Sequence, residues 1–282
     1  MKLAVSNLAL PARNHAHLLP RLRQMGLTGL EVAPDHTWAD SASSREVTAY
    51  RYAAENAYLD IVGLDMLLAN RPEFSLLAGR ETAHRTADEL VRLSALCRDL
   101  GGRSLILGNG LDRGSLPLDT AWIECRNFLE ALLPRIEDHG TVLCFAPRAP
   151  ADFCGTAREC RLLADYFQHP SLGLHLNSLA QVENNDTGHS SFSAVRDRLD
   201  HVHANEPDLA SLGSTGRIDH ADFRRHLASV SYRKWVVLKQ RAATDPLDGL
   251  SRSAASFCEL YLREDNQSLQ RNRANVDARP HL

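Results

Sequence analysis

Several common functional signatures are absent from this sequence of 282 residues. Its six cysteines are scattered and form no Cys-x-x-Cys pair, so neither a zinc knuckle nor a redox dithiol is indicated. The formal net charge is only -3, whereas a dedicated nucleic-acid binder usually carries a basic patch. No apolar run approaches the roughly 20 residues that a membrane-spanning helix needs. Neither a Gly-x-Gly-x-x-Gly after the first strand nor a Gly-x-Ser-x-Gly occurs.

The composition that remains is that of an ordinary globular protein. Hydrophobic residues make up 44% of the chain and charged residues 24%. A chain of this length buries enough apolar surface to fold without a disulfide or a metal. Unpaired cysteines are typical of a reducing compartment. We therefore expect a cytoplasmic protein that has no nucleic-acid or membrane partner.

Short apolar segments alternate with amphipathic helical segments along the whole chain. Eight such segments, each followed by a helical stretch or a loop, give about 35 residues per unit, the size of a βα repeat. The predicted strands are KLAVSN (2–7), GLEVAP (29–34), DIVGLDML (60–67), RSLILGN (103–109), TVLCFAP (141–147), LGLHLN (172–177), DHVHAN (200–205) and KWVVLKQ (234–240). This pattern predicts an α/β fold that is a single (β/α)8 TIM barrel over residues 1–264, with a doubly wound sheet as the alternative. Residues 265–282 are polar and predict a flexible C-terminal tail.

Polar side chains stand where the predicted strands end. In a (β/α)8 barrel the chemistry sits at the C-terminal ends of the strands. That rule selects Glu31, Asp65, Asn109, Arg148, Asn177, His203, Asn205, Glu206, Lys239 and Arg241. Lys239 is the most unusual of them, because an apolar strand there ends in an ammonium group.

Four segments of the sequence resemble a known family. MKLAVSN, LRQMGLTGLEVAP, HVHANEP and GSTGRIDHADF are similar to the sugar phosphate isomerase/epimerase group of xylose-isomerase-like TIM barrels, and the likeness covers about residues 1–262. The resemblance implies one divalent metal held by a Glu, an Asp, a His and a Glu at the ends of strands 5 to 8. It also implies that the two Glu residues move the proton in epimerisation or isomerisation.

At those four positions this chain carries Ala146, Asn177, His203 and Lys239, so only the histidine is kept. A cation at Lys239 would repel a divalent ion, and neither alanine nor asparagine replaces a carboxylate ligand. The sequence therefore predicts no metal and no other cofactor.

Other residues that the resemblance implies are also replaced. A substrate-binding His of related epimerases falls at Ala180, and an Arg falls at Leu209. An acidic residue six positions past the strand 5 ligand persists as Asp152.

The first functional hypothesis is a metal-independent enzyme that acts on a small polar carbonyl or sugar-like substrate. Lys239 would supply the positive charge that stabilises an enolate, with Glu31 and His203 as acid–base groups. The expected substrate-binding residues are His175, Arg148, Asp152, Asn177, Glu206, Arg241 and Asn109. We expect His201 to point the opposite way from His203 and to pack against a helix.

Three alternatives remain open from the sequence. Glu31 and Lys239 could form a salt bridge that only fills the lost metal site. Lys239 could form a Schiff base, helped by Arg241 on the same strand face. The chain could also be a pseudoenzyme that binds or scaffolds, and a homodimer or homotetramer is expected by analogy.

Overall fold

Eight parallel strands close into a barrel in chain order, with β1 pairing to both β2 and β8. The computed structural model describes residues 1–39, 41–69, 71–108, 111–147 and 153–262. The strands are β1 (Lys2–Ser6), β2 (Gly29–Val32), β3 (Asp60–Leu64), β4 (Ser104–Leu107), β5 (Val142–Phe145), β6 (Leu172–Asn177), β7 (Leu199–Asn205) and β8 (Trp235–Lys239). The predicted (β/α)8 barrel is confirmed, and the doubly wound alternative is wrong because the sheet has no open edge.

Helices surround this barrel. Within the described residues the α-helices are α1 (Leu19–Gln24), α2 (Pro34–Thr37), α3 (Ser44–Asn56), α4 (Arg80–Leu100), α5 (Leu118–Ile136), α6 (Ala157–Phe167), α7 (Ser178–Glu183), α8 (His189–Val195), α9 (His220–Ser229) and α10 (Pro246–Leu262). Short 3-10 turns span Asn7–Ala9, Ala16–Leu18, Glu137–His139 and Pro207–Leu209. No described helix combines the length and apolar character that a bilayer crossing requires.

Local sequence signals explain where the longer helices begin and end. Helices α3 and α6 each start with a capping box, in which the side chain of Ser43 or Thr156 accepts a hydrogen bond from the N3 backbone N–H. Helix α4 ends at Gly101, whose φ of 85° is in the left-handed region that glycine adopts without a Cβ clash. Its buried stripe packs against the barrel. The main hydrophobic core is therefore the layer between the sheet and the helices.

Six of the eight strands end one to three residues before their predicted ends, and two of these differences matter for the site. Strand β3 ends at Leu64 rather than at residue 67, which leaves Asp65 immediately past the strand. Strand β8 ends at Lys239, so Arg241 lies outside it. The predicted barrel boundary at residue 264 and the predicted flexible tail lie outside the described residues.

Close strand packing at Gly63 gives a stability prediction. A Cβ at this position would lie 2.1 Å from the backbone oxygen of Ser104 on the neighbouring strand. We expect Gly63→Ala to lower the free energy of unfolding by about 1–3 kcal/mol, because the strands must separate to admit a methyl group. Chemical denaturation measures this. Gly188→Ala is the control, since a Cβ there meets only ordinary contacts at 3.7 Å, and an equal loss in both variants would contradict the argument.

Candidate active site

A cavity of about 190 Å³ opens at the C-terminal end of the barrel. It is lined by Asp65, Ile106, Gly108, Ala146, Pro147, His175, Asn177, Leu179, Ala180, His203 and Lys239. The four positions that the resemblance equates with metal ligands are thus brought together in one cavity. A larger cavity, about 630 Å³, lies at the opposite end beside Trp235, but (β/α)8 barrels carry their chemistry at the C-terminal end.

An ion pair crosses the mouth of this cavity. The ammonium Nζ of Lys239, at the end of β8, lies 2.5 Å from Oδ2 of Asp65, just after β3. The two side chains are only 11% and 5% exposed. A charge this far from water needs a close counter-charge, which each residue provides for the other. The predicted alternative pairing of Lys239 with Glu31 is wrong, because Asp65 is its partner.

Glu31 lies inside the barrel and contacts two histidines on β7. Its Oε1 is 2.7 Å from Nε2 of His201 and 2.9 Å from Nε2 of His203, and all three side chains are buried. Strands β2 and β7 are not neighbours in the sheet, so these side chains meet across the barrel interior. Each imidazole can donate its Nε2–H to the carboxylate, which leaves Nδ1 of each ring as an acceptor.

The predicted orientation of His201 is wrong. Side chains two residues apart on a strand point to the same face, so His201 and His203 both face the barrel interior. The prediction treated them as alternating neighbours and so put His201 against a helix. The structure instead makes His201 a second hydrogen-bond partner of Glu31.

His175 completes a group of three imidazoles. It pairs with His201 in the sheet register, and their rings stack with centroids 5.9 Å apart. Its ring meets that of His203 edge-on at 4.3 Å. Neither nitrogen of His175 has a hydrogen-bond partner among the described residues, although the side chain is buried. His175 also lines the cavity, so its nitrogens are candidates for contact with a bound molecule.

Burial and charge set the protonation of this group. Burial lowers the pKa of His175 well below its usual value, and the nearby His203 and His201 lower it further. Burial also lowers the pKa of His203, although the charge of Glu31 opposes the shift. Burial alone would raise the pKa of Glu31, but His203 and His201 hold it below its ordinary value. The interior therefore holds a carboxylate beside neutral imidazoles at His203 and His175.

The other predicted site residues lie in different settings. Asn177 lines the cavity and uses its Oδ1 to accept the backbone N–H of Ala180 at 3.0 Å. Glu206 is buried and accepts hydrogen bonds from Gly213 N–H and the Thr215 hydroxyl, so its carboxylate holds the following loop. Arg241 is exposed beyond the end of β8, where it does not share a strand face with Lys239.

Asn109, Arg148 and Asp152 lie outside the described residues, and their predicted roles in substrate binding stay predictions.

Two residues of this site, Asp65 and His201, were not predicted from the sequence to have a role in it. Asp65 was recognised only as a strand end, because its partner 174 positions later cannot be inferred from local pattern. His201 carried a usable signal: the His-x-His spacing on a strand puts both rings on one face.

A family model described as xylose isomerase-like TIM barrel matches residues 19–260. The chain belongs to this family. No curated protein matches the chain.

Solved structures of sugar epimerases share the fold. D-psicose 3-epimerase from Clostridium cellulolyticum H10, determined with D-tagatose, has a TM-score of 0.78 at 13% identity, over 93% of this chain and 98% of that one. An L-ribulose 3-epimerase has a TM-score of 0.78 at 16% identity over all of both chains. The 3-keto-D-glucoside 4-epimerase YcjR from E. coli has a TM-score of 0.75 at 18% identity, over 91% and 98%. The chain thus has the fold of sugar epimerases and isomerases.

The metal that the family resemblance implies does not fit the corresponding positions. Ala146 offers a methyl group, and the Oδ1 of Asn177 already caps helix α7. Lys239 brings an ammonium group into the same cavity, which leaves His203 as a single ligand. A different group of donors, Glu31 with His201 and His203, has its ligand atoms within 4.8 Å of one another.

The Lys239–Asp65 pair can be tested by a double-mutant cycle. Asp65→Asn leaves an almost buried ammonium group without its counter-charge, so we expect a loss of about 3–5 kcal/mol in unfolding free energy. Adding Lys239→Met should recover most of that loss, because the stranded charge is removed. Urea denaturation of the four proteins measures the coupling.

The exposed pair Arg252–Asp248 on α10 supplies the control. Asp248→Asn should cost less than about 1 kcal/mol, as exposed ion pairs usually do. Additive effects of the Asp65 and Lys239 substitutions would show that the pair does not form.

Proposed function

We propose that this protein is an enzyme of the sugar isomerase/epimerase type that moves a proton next to the carbonyl of a small polar or sugar-like substrate without a divalent metal. One observation carries the proposal: the ammonium group of Lys239 faces the cavity where the family resemblance implies a metal. A fixed positive charge in a site removed from water can stabilise an enolate oxygen, as a metal ion would.

His203 is the proposed base. Its Nε2–H faces Glu31, and its Nδ1 has no hydrogen-bond partner among the described residues. Nδ1 would take the proton from the carbon beside the substrate carbonyl. Glu31 would then stabilise the imidazolium, as a carboxylate does when it orients a catalytic histidine. His201 shares the same carboxylate oxygen and so helps to position Glu31.

Lys239 is the proposed electrostatic group. As the C–H bond breaks, its electron pair forms a carbon–carbon double bond, and the carbonyl π electrons move to oxygen. The ammonium group stabilises the charge on that oxygen. Protonation of the same carbon by solvent from the other face gives an epimer, and His203 then releases the abstracted proton to solvent. Return of the proton to the former carbonyl carbon, with the proton of the neighbouring hydroxyl passing to the enolate oxygen, gives an isomer. His175 and Asn177 line the cavity and are the proposed contacts for substrate hydroxyl groups.

Lysine-based covalent catalysis is less well supported. Nζ of Lys239 is held 2.5 Å from the carboxylate of Asp65, whereas a Schiff base requires an amine that is free to attack the substrate carbonyl. Arg241, the cation expected to oppose that charge, is exposed outside β8. The ion pair therefore favours an electrostatic role for Lys239.

The proposal predicts solvent exchange that depends on Lys239. EDTA-treated protein should catalyse exchange of the carbon-bound proton with D2O in at least one member of a panel containing D-tagatose, L-ribulose and a 3-keto-D-glucoside. Proton NMR follows the exchange. Lys239→Met should lower its rate by about 100- to 1,000-fold, the usual cost of a lost electrostatic donor. Lys234→Met, on the same chain segment but beside Asp200 at the far end of the barrel, is the matched control.

Three results would contradict the proposed function, each in a different way. Exchange that appears only after a divalent metal is added would rule out metal-independent chemistry. Absence of exchange with every member of the panel would favour the non-catalytic reading, in which the barrel only binds its ligand. A borohydride-trapped mass increase on Lys239 would establish the Schiff-base route instead.

A further inference from the structure

We infer that the barrel interior contains a binding site for an imidazole-preferring divalent ion such as Zn²⁺, formed by Glu31, His201 and His203, and that the ion inhibits the enzyme. The site differs from the one that the family resemblance implies. Two of its side chains, Glu31 and His201, come from positions outside that ligand set. The inhibitory effect rests on the function proposed above, whereas the site itself rests on geometry.

The ligand atoms of Glu31, His201 and His203 lie within 4.8 Å of one another. Nε2 of His201 and Nε2 of His203 are 2.7 and 2.9 Å from the same oxygen of Glu31. Ligand atoms on a tetrahedral zinc at 2.0–2.1 Å are roughly 3.3 Å apart. The two oxygen–nitrogen distances would each lengthen by about half an ångström to admit an ion. Each imidazole would change from its Nε2–H to its Nδ1–H tautomer and present the Nε2 lone pair.

The buried polar atoms around these donors have no partners. Oε2 of Glu31, Nδ1 of His201, Nδ1 of His203 and both nitrogens of His175 lack hydrogen bonds within the described part of the chain. Buried polar groups are normally satisfied, and clusters of exceptions indicate an absent ion, water or ligand. His175 is 1% exposed and its ring lies 4.3 Å from that of His203, so a further imidazole without a hydrogen-bond partner adjoins this group.

The charge of the interior favours a cation. Asp65 lies 2.5 Å from Lys239 and offsets part of its charge, whereas Glu31 has no lysine or arginine partner among the described residues. The repulsion expected from Lys239 alone is thereby reduced. Several imidazoles with one carboxylate suit zinc, cobalt or iron, whereas magnesium and calcium require oxygen ligands. An ion can approach through the cavity, because both His203 and His175 line it.

Occupation would block catalysis. The ion would take the Glu31 oxygen and the Nε2 of His203, which are the groups proposed to orient and activate the base. The Nδ1 atoms have no described acceptor, and such outer-shell partners typically contribute 10- to 100-fold in metal affinity. We therefore expect binding weaker than that of a structural zinc site, and reversible by EDTA.

The first test is calorimetric titration of EDTA-treated full-length protein with ZnCl2. We expect one ion per chain, no comparable binding of MgCl2, and at least about a 100-fold weaker association for His201→Gln, because a direct ligand is lost. His17→Gln, which changes an exposed histidine on the surface, should bind as the unaltered protein does. Equal weakening in both variants, or none in either, would overturn the site.

A second test uses the unaltered chain and so does not depend on a variant folding. X-ray absorption of the Zn²⁺ complex should show a first shell of nitrogen and oxygen at about 2.0–2.2 Å with two imidazoles. A sulfur shell would place the ion at the buried cysteines and overturn the inference. Zinc binding without inhibition of an active enzyme would overturn the inhibitory role. Exchange activity that requires Zn²⁺ would overturn metal-independent catalysis and leave the binding site standing.

Discussion

The ion pair between Lys239 and Asp65 is the constraint on which the candidate site depends. A charged side chain that is almost buried must find its counter-charge inside the protein. Here the two partners come from β8 and from the residue that follows β3, so the pair spans the part of the barrel mouth formed by β1 and β2. It fixes the ammonium group in the cavity and offsets part of its charge. The contact with Asp65 therefore holds the ammonium group of Lys239 in place. Glu31 is then the charged residue of the barrel interior beyond this pair.

The group below that pair departs from ordinary barrel packing. The inward-facing layers of (β/α)8 barrels are dominated by branched apolar side chains. In this chain Glu31, His175, His201 and His203 occupy the interior instead, and several of their polar atoms have no partner among the described residues. Such an interior is costly to bury. A structural role alone would be met at lower cost by apolar residues of similar size, so the arrangement favours chemistry or ligand binding.

The fold could be predicted because its signal is local and repeated. Parallel strands buried on both faces appear as short apolar runs, and eight of them at even spacing leave few topologies. The positions of Ala146, Asn177, His203 and Lys239 in one cavity followed from the rule that strand ends meet at one face. Their mutual contacts could not be predicted in the same way. Asp65 and Lys239 are far apart in the chain, and which acidic residue reaches the lysine depends on register, strand length and the path of each side chain.

The loss of the family's metal ligands is connected with the group of histidines in the barrel interior. A family metal at the mouth would need carboxylates where this chain has Ala146, Asn177 and Lys239. Lys239 forms an ion pair with Asp65, and a divalent ion between them would have to break that pair. The remaining unpaired donors lie deeper, on β2, β6 and β7. In the proposed reaction, lysine supplies the positive charge at the mouth, and an ion bound at the inferred site would compete with proton transfer. The two proposals accordingly make catalysis and metal binding opposed uses of Glu31 and His203, whereas the family resemblance implies a metal that serves the reaction.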